Sequence, residues 1–448
     1  MKVHKLSIVY TLLVNAITSI FCFVVSTSLL SAESSLEDYQ QRINMIQKSI
    51  GPYSEELIQP TLQMGLILHE NNQFSDANER LESALYLHRV NYGLQDLQQS
   101  SIVDLLISNN LNRQDWKSAD NNFHKLHWLH RRNLDSNDPE LLAVLDRLIA
   151  WHLVATNLKT GQHPGKHFMK LLELNQRALE IVDNYPVQDQ LELSRRLYKL
   201  ALVHYYIAIA VQRGDSVGRY LLEEFDPIQL SDSYETASEK TALKMFRKSR
   251  QLIVRIVSLH QDIVPATKDS RAIAQLYLAD WDLLFNRHAN ANRGYQNSYD
   301  ILLERGYSSD LINSFFDQPI LLPKSEFIPD LMTKYALQYE KNEIPETGTM
   351  EFVGWSKSLP GVKYPTAEIN NIVSASTERF ADVSFDVLKD GLAKNIVIGK
   401  HKRKSGLPRR TTYEAIWSAQ FRPRLIEGRA VAVSGVTTRF YMPSIENK

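Results

Sequence analysis

His124, His127 and His130 stand three apart in the run HKLHWLH. On a helix of about 3.6 residues per turn they spread over roughly a third of the circumference, close enough for a metal to use two of them. No acidic residue lies among them, and Lys125, Arg131 and Arg132 oppose a cation. The expectation is therefore packing and surface histidines, with no metal and no cofactor.

Other chemistry is thinner. Phosphate-cradling, zinc-protease and elbow-serine signatures are absent, and the acidic pair Glu223-Glu224 sits in LLEEFDPIQLSDS, a run that reads as a solvated loop. The single cysteine, Cys22, falls in the N-terminal apolar segment, so the body has no thiol for disulfides, thiolate catalysis or cysteine metal sites. No catalytic residue is assigned, and a non-enzyme is expected. The most pointed charge is GKHKRKSGLPRR, where Lys400, Lys402, Arg403, Lys404, Arg409 and Arg410 crowd a loop marked by Gly406 and Pro408. Such a loop attracts anions. Over the whole chain, 51 basic residues balance 51 acidic ones in 448, which excludes a nucleic-acid-binding polyelectrolyte.

The elements that must position these residues begin with a segment of another kind. Lys2 and Lys5 precede an uncharged run from Leu6 to Leu30, and Glu33 follows. Residues 1–32 are expected to be a signal peptide or an N-terminal membrane anchor, since the run exceeds a signal core and reaches the roughly 20 residues that span a bilayer. By the positive-inside rule either fate exports the body. The expected location is the periplasm, either soluble after cleavage or held in the inner membrane by residues 6–30. Anions available there are lipid headgroups of the membrane surface, peptidoglycan acids and partner carboxylates.

Residues 33–310 are helical in period. In TLQMGLILHENNQFSDANERLESALYLH, Gly65 is followed by Ala77 at plus 12 and Ala84 at plus 19, with Asn71-Asn72-Gln73 as the turn. Ala119, Phe123 and Leu126 repeat part of this register. Ala279, Ala291, Tyr295 and Ser298 repeat it more fully, while Leu193 to Val211 and Ala242 to Leu259 read as helices of unassigned pairing. The spacing resembles tetratricopeptide repeats, which implies stacked helix pairs and a surface that binds a partner protein.

From 311 to 365 prolines and glycines gather, and this stretch reads as a connector in which Phe315, Phe316, Phe352 and Trp355 point to burial. Residues 366–448 then alternate with a strand's period. Ala381 to Leu388 and Leu392 to Ile398 flank Asp390-Gly391 as a hairpin, Thr411 to Gln420 suits a helix with Ile416 and Trp417 on its apolar side, and Ala430 to Tyr441 supplies a third strand. The fold class expected is mostly α, a helical solenoid followed by a small α+β domain. Tyr364-Pro365, VSFDVLKDGLAKNIVI, Phe421-Arg422-Pro423, Gly428 and the last alternating strand come in the order of the TonB C-terminal domain, which this end resembles. The resemblance implies binding at the final strand, through Val431, Val433, Gly435, Thr437 and Arg439, or their neighbours of opposite parity. The apolar segment has no histidine after His4, and a helical array replaces the proline-rich linker of that family. These departures favour an envelope adaptor, binding envelope proteins through the solenoid and the edge strand. The alternative is a TonB-type energy transducer for outer-membrane transport.

Overall fold

In a computed structural model of the chain, the described residues are 36–156, 158, 160–185, 189–225, 233–261, 268–341, 352–353, 375–401 and 409–443. The N-terminal apolar segment, Trp355, Tyr364-Pro365, and Lys402, Arg403 and Lys404 lie outside them. No helix among the described residues is long and apolar enough to cross a membrane. The chain is mostly helical with a small C-terminal sheet region, and it divides into two units, Met1–Asn109 and Asn110–Lys448.

In the first unit, α1 (Leu36–Ser49) precedes α2 (Ile58–Glu70) and α3 (Phe74–Tyr92), and α4 (Ser100–Asn112) begins there and ends in the second. The α2/α3 hairpin is set by small residues. Asn72 takes φ +61° in the turn and Gln73 N–H returns to the Leu68 carbonyl at 2.9 Å. Ala77 and Ala84 are wholly buried, and a Cβ on Gly65 would come within 2.9 Å of Leu81 Cδ2. Larger side chains there would push the helices apart.

The second unit continues with α5 (Trp116–Asn133), α6 (Leu141–Ala155), α7 (Pro164–Asp183), α8 (Gln190–Arg213), α9 (Ser216–Phe225), α10 (Tyr234–Leu259), α11 (Ser270–Leu284) and α12 (His288–Glu304). Asp115, Asp189 and Ser233 cap α5, α8 and α10 with side-chain oxygens, satisfying amides that a helix start leaves unpaired. The two helices of unassigned pairing, α8 and α10, pack on each other, with α9 between them in sequence. α8 is buried along almost its whole length. The α11/α12 hairpin repeats the close approach of α2/α3: a Cβ on Gly294 would stand 2.7 Å from the Ala279 Cβ.

The connector is ordered where it is described. It forms α13 (Ser309–Phe315), β1 (Ile320–Leu322) and α14 (Leu331–Glu340), with Phe315 and Phe316 buried. Tyr198 and Tyr277 on the helical array donate their hydroxyls to the Lys324 and Glu326 carbonyls, both at 2.8 Å.

At the C-terminal end β2 (Phe352–Val353), β3 (Ala375–Val387), β4 (Ala393–His401) and β8 (Val433–Pro443) form one sheet in the order β2-β8-β3-β4. The expected β3/β4 hairpin is present, and Gly391 takes φ +78° in its turn. Ala381, Val383, Phe385 and Val387 alternate into a core with Ile416, Ala419, Phe421 and Val436. The helix α15 runs from Arg409 to Trp417, shorter than expected, because Gln420 to Arg422 form β5 instead. Trp417 lies 63% exposed and not on the buried side; only Ile416 of that pair enters the core.

Phe421 and Arg422 of the Phe421-Arg422-Pro423 landmark therefore lie in a strand. β5 (Gln420–Arg422) pairs antiparallel with β1 of the connector, Ile320 opposite Arg422. The expected last strand is also two strands: β6 (Arg424–Ile426) and β7 (Arg429–Val431) make a separate hairpin through Glu427-Gly428, both at positive φ, and β8 starts after a break at Ala432.

Candidate functional site

The residues expected at the final edge are split by that break. Val431 belongs to β7, opposite Arg424, and is not part of the last strand. Val433 lies opposite Val387, Thr437 opposite Ser384 and Arg439 opposite Asp382. Gly435 takes φ +74° at an irregularity in the pairing, and its N–H donates to Asp386 Oδ1 at 2.9 Å. The Asn395 amide and this N–H hold the Asp386 carboxyl below its ordinary value. Arg439 Nε reaches Asp382 Oδ1 at 2.7 Å across the ladder.

Whether β8 offers an edge depends on its far side. There β2 runs parallel and pairs with Phe440 and Tyr441, so among the described residues no strand lies beside Val433 to Thr437 on that side. Unpaired backbone N–H and C=O groups on such an edge can accept an added strand. Of the basic loop, Lys400 lies in β4, and Arg409 and Arg410 open α15.

The feature that holds the C-terminal strands to the helices was not foreseen. Arg422 is buried, with Nε donating to Asp280 Oδ1 at 2.8 Å and Nη2 to Oδ2, and Tyr295 donates its hydroxyl to the same Oδ1 at 3.1 Å. Burial disfavours the charge on Arg422, but Asp280 beside it holds the guanidinium above its ordinary value. A two-point, charge-assisted contact of this type fixes orientation as well as distance. Gly428 packs on Gln296 and Tyr299 of α12, and Leu425 N–H donates to the Phe316 carbonyl at 3.1 Å. The β1/β5 and β6/β7 strands are thus bolted to the helices of their own unit, and β5 joins them to the larger sheet, Phe421 N–H donating to the Gly391 carbonyl at 2.9 Å and its ring entering that sheet's core. The sequence signals were an acid within the apolar stretch LYLADWDLL and an arginine flanked by Phe421 and Pro423.

In the first unit, α1, α2 and α3 line a groove of about 410 Å³ that includes Ile43, Gln47, Thr61, Arg80 and Tyr86. Tyr53 stands edge-on to Tyr86 at 6.3 Å between ring centroids, and both rings are exposed, as are Val90, Tyr92 and Leu94. Amphipathic rings in a concave groove suit a peptide or protein partner.

Of the histidines of α5, His124 stands near a buried acid. Asp120, one turn before His124, supplies the acid missing from the run itself, with His124 Nε2 at 3.9 Å from Oδ1. The fold adds His152 from α6 and His167 from α7, which sequence spacing did not associate with His124 because two loops intervene. Burial pushes His124, His152 and His167 down from their ordinary values, and His127 to about 4, so the imidazoles are neutral near pH 7.

Compared with known proteins, the chain matches no family model and no curated protein sequence.

Proposed function

We propose that this chain is a non-enzymatic, protein-binding adaptor of the cell envelope, exported as the N-terminal segment suggests. A tetratricopeptide-like helical array recruits one partner, and a TonB-like C-terminal sheet engages another by strand addition. The observation that carries this reading is the side of β8 from Val433 to Thr437, beside which no strand lies among the described residues, in a C-terminal region fastened to helices by Arg422 and Asp280. A partner strand gains most when the edge it meets is already held in place, because ordering it costs nothing further at binding. The exposed tyrosines of the first unit supply a second surface of the chemistry that protein interfaces use.

Site-specific photo-crosslinking tests the reading. A photoreactive residue at Thr437, exposed on β8, is expected to trap a discrete envelope protein, whereas one at Trp417 on α15, 63% exposed and outside any strand, is not. No adduct at Thr437, or the same adducts from both positions, contradicts it.

A further inference from the structure

Three helices of the second unit bring one donor atom each from Asp120, His152 and His167 within 4.8 Å of one another, all three residues buried. His152 Nδ1 and His167 Nδ1 are 2.9 Å apart. Ligands about 2.0–2.1 Å from a tetrahedral zinc ion stand roughly 3.3 Å from one another, so small side-chain shifts convert this cluster into a coordination site. We infer that Asp120, His152 and His167, with His124 as fourth donor, form a structural site for a divalent transition-metal ion of the zinc type.

The surroundings have the character of a metal site and not of a simple polar contact. Trp151 Nε1 donates to Asp120 Oδ1 at 2.6 Å and Gln162 Nε2 to Oδ2 at 2.7 Å, which orients the carboxylate. Thr160 Oγ1 lies 2.9 Å from His167 Nε2 and fixes that ring from behind. Ligating side chains are usually held in this way by a second layer of hydrogen bonds. His152 Nε2 is buried and has no hydrogen-bond partner among the described residues. When an ion replaces the proton between the two Nδ1 atoms, that proton moves to the Nε2 of the ring that carried it and both rings stay neutral.

His124, outside the cluster of three but with Nε2 3.9 Å from Asp120 Oδ1, would complete the set from the rim. Its ring lies 5.2 Å from that of His152 between centroids, and its side chain is 37% exposed, which leaves a route for the ion to enter. Lys170, the nearby cation that opposes positive charge here, is paired with Glu173 at 2.7 Å. A nitrogen-rich set with one carboxylate suits zinc, nickel or copper and is poor for magnesium or calcium. Four protein donors leave no open position, so the role is to staple α5, α6 and α7 together.

The test is titration of the chelator-treated, full-length chain with zinc, read by calorimetry, and with cobalt(II), read by its visible absorption. The expected result is one saturable site per chain, a tetrahedral cobalt spectrum that zinc abolishes, and a higher melting temperature with zinc. His167→Gln is expected to remove the site. Should that variant not fold, Gln162→Ala, which only orients Asp120, is expected to weaken zinc binding about 10- to 100-fold. Absence of stoichiometric binding to the folded chain, or binding unchanged in Gln162→Ala and in a folded His167→Gln, overturns the inference.

Discussion

Arg422 and Asp280 illustrate why one residue pair can govern a whole interface. Each is buried, so neither charge has water to fall back on. Removing one partner strands the other, which typically costs about 3–5 kcal/mol. Asp280→Asn and Arg422→Leu are each expected to lower stability by that order in urea unfolding. The double variant Asp280→Leu/Arg422→Met is expected to cost less than either single one, because it leaves no unpaired charge. A second residue-scale expectation concerns pH. His204 and His260 have values lowered from 6.5, by burial in both cases, with Lys248 adding at His204. The native state therefore refuses protons that the unfolded chain accepts below about pH 6.5. Stability is complete above that pH and is lost as pH falls through it. The urea midpoint should decline between about pH 6.5 and 5, and less steeply in His204→Asn/His260→Asn. A midpoint independent of pH in that window contradicts this.

Helix pairs depend on where small residues let backbones meet. Gly294→Ala places a methyl 2.7 Å from the Ala279 Cβ and 3.2 Å from its Cα, so a backbone must move. The expected loss is about 1–3 kcal/mol in chemical unfolding. Gly399→Ala, whose Cβ meets only the Asp382 carbonyl at 3.4 Å, should stay within about 0.5 kcal/mol of the parent. At this scale the sequence was legible where local rules decide. The Asn71 to Gln73 turn and the Asp390-Gly391 hairpin follow from residues that tolerate tight turns. The α8/α10 pairing was not legible, because α9 separates them in sequence and no small-residue register marks their contact. The break before β8 was hidden for another reason: AVAVSGV alternates straight through Ala432, so a hairpin end and a strand start look like one strand. Likewise no spacing rule joins His124 to His152 and His167, which meet only once three helices have packed.

For the chain as a whole, mostly helical with a small α+β end was readable from periodicity, but the dependence of that end on its helices was not. β5 pairs with the connector, Arg422 neutralises an acid on α11, and Gly428 lies against α12. A chain stopped at residue 365 would lose all of these and leave Asp280 buried without its cation. Partner loss on such a truncation would thus report damage to the helices as much as loss of an edge, and crosslinking from Thr437 is the cleaner probe of binding. The central claim is that sheet and helices of the second unit stand or fall together. Hydrogen exchange of the intact chain against Arg422→Leu tests it most directly. The account predicts that amides of Ser270–Glu304 and of β3 and β8 lose protection in parallel. If β3 and β8 keep their full protection while the helices loosen, the sheet is an independent domain and the claim is wrong.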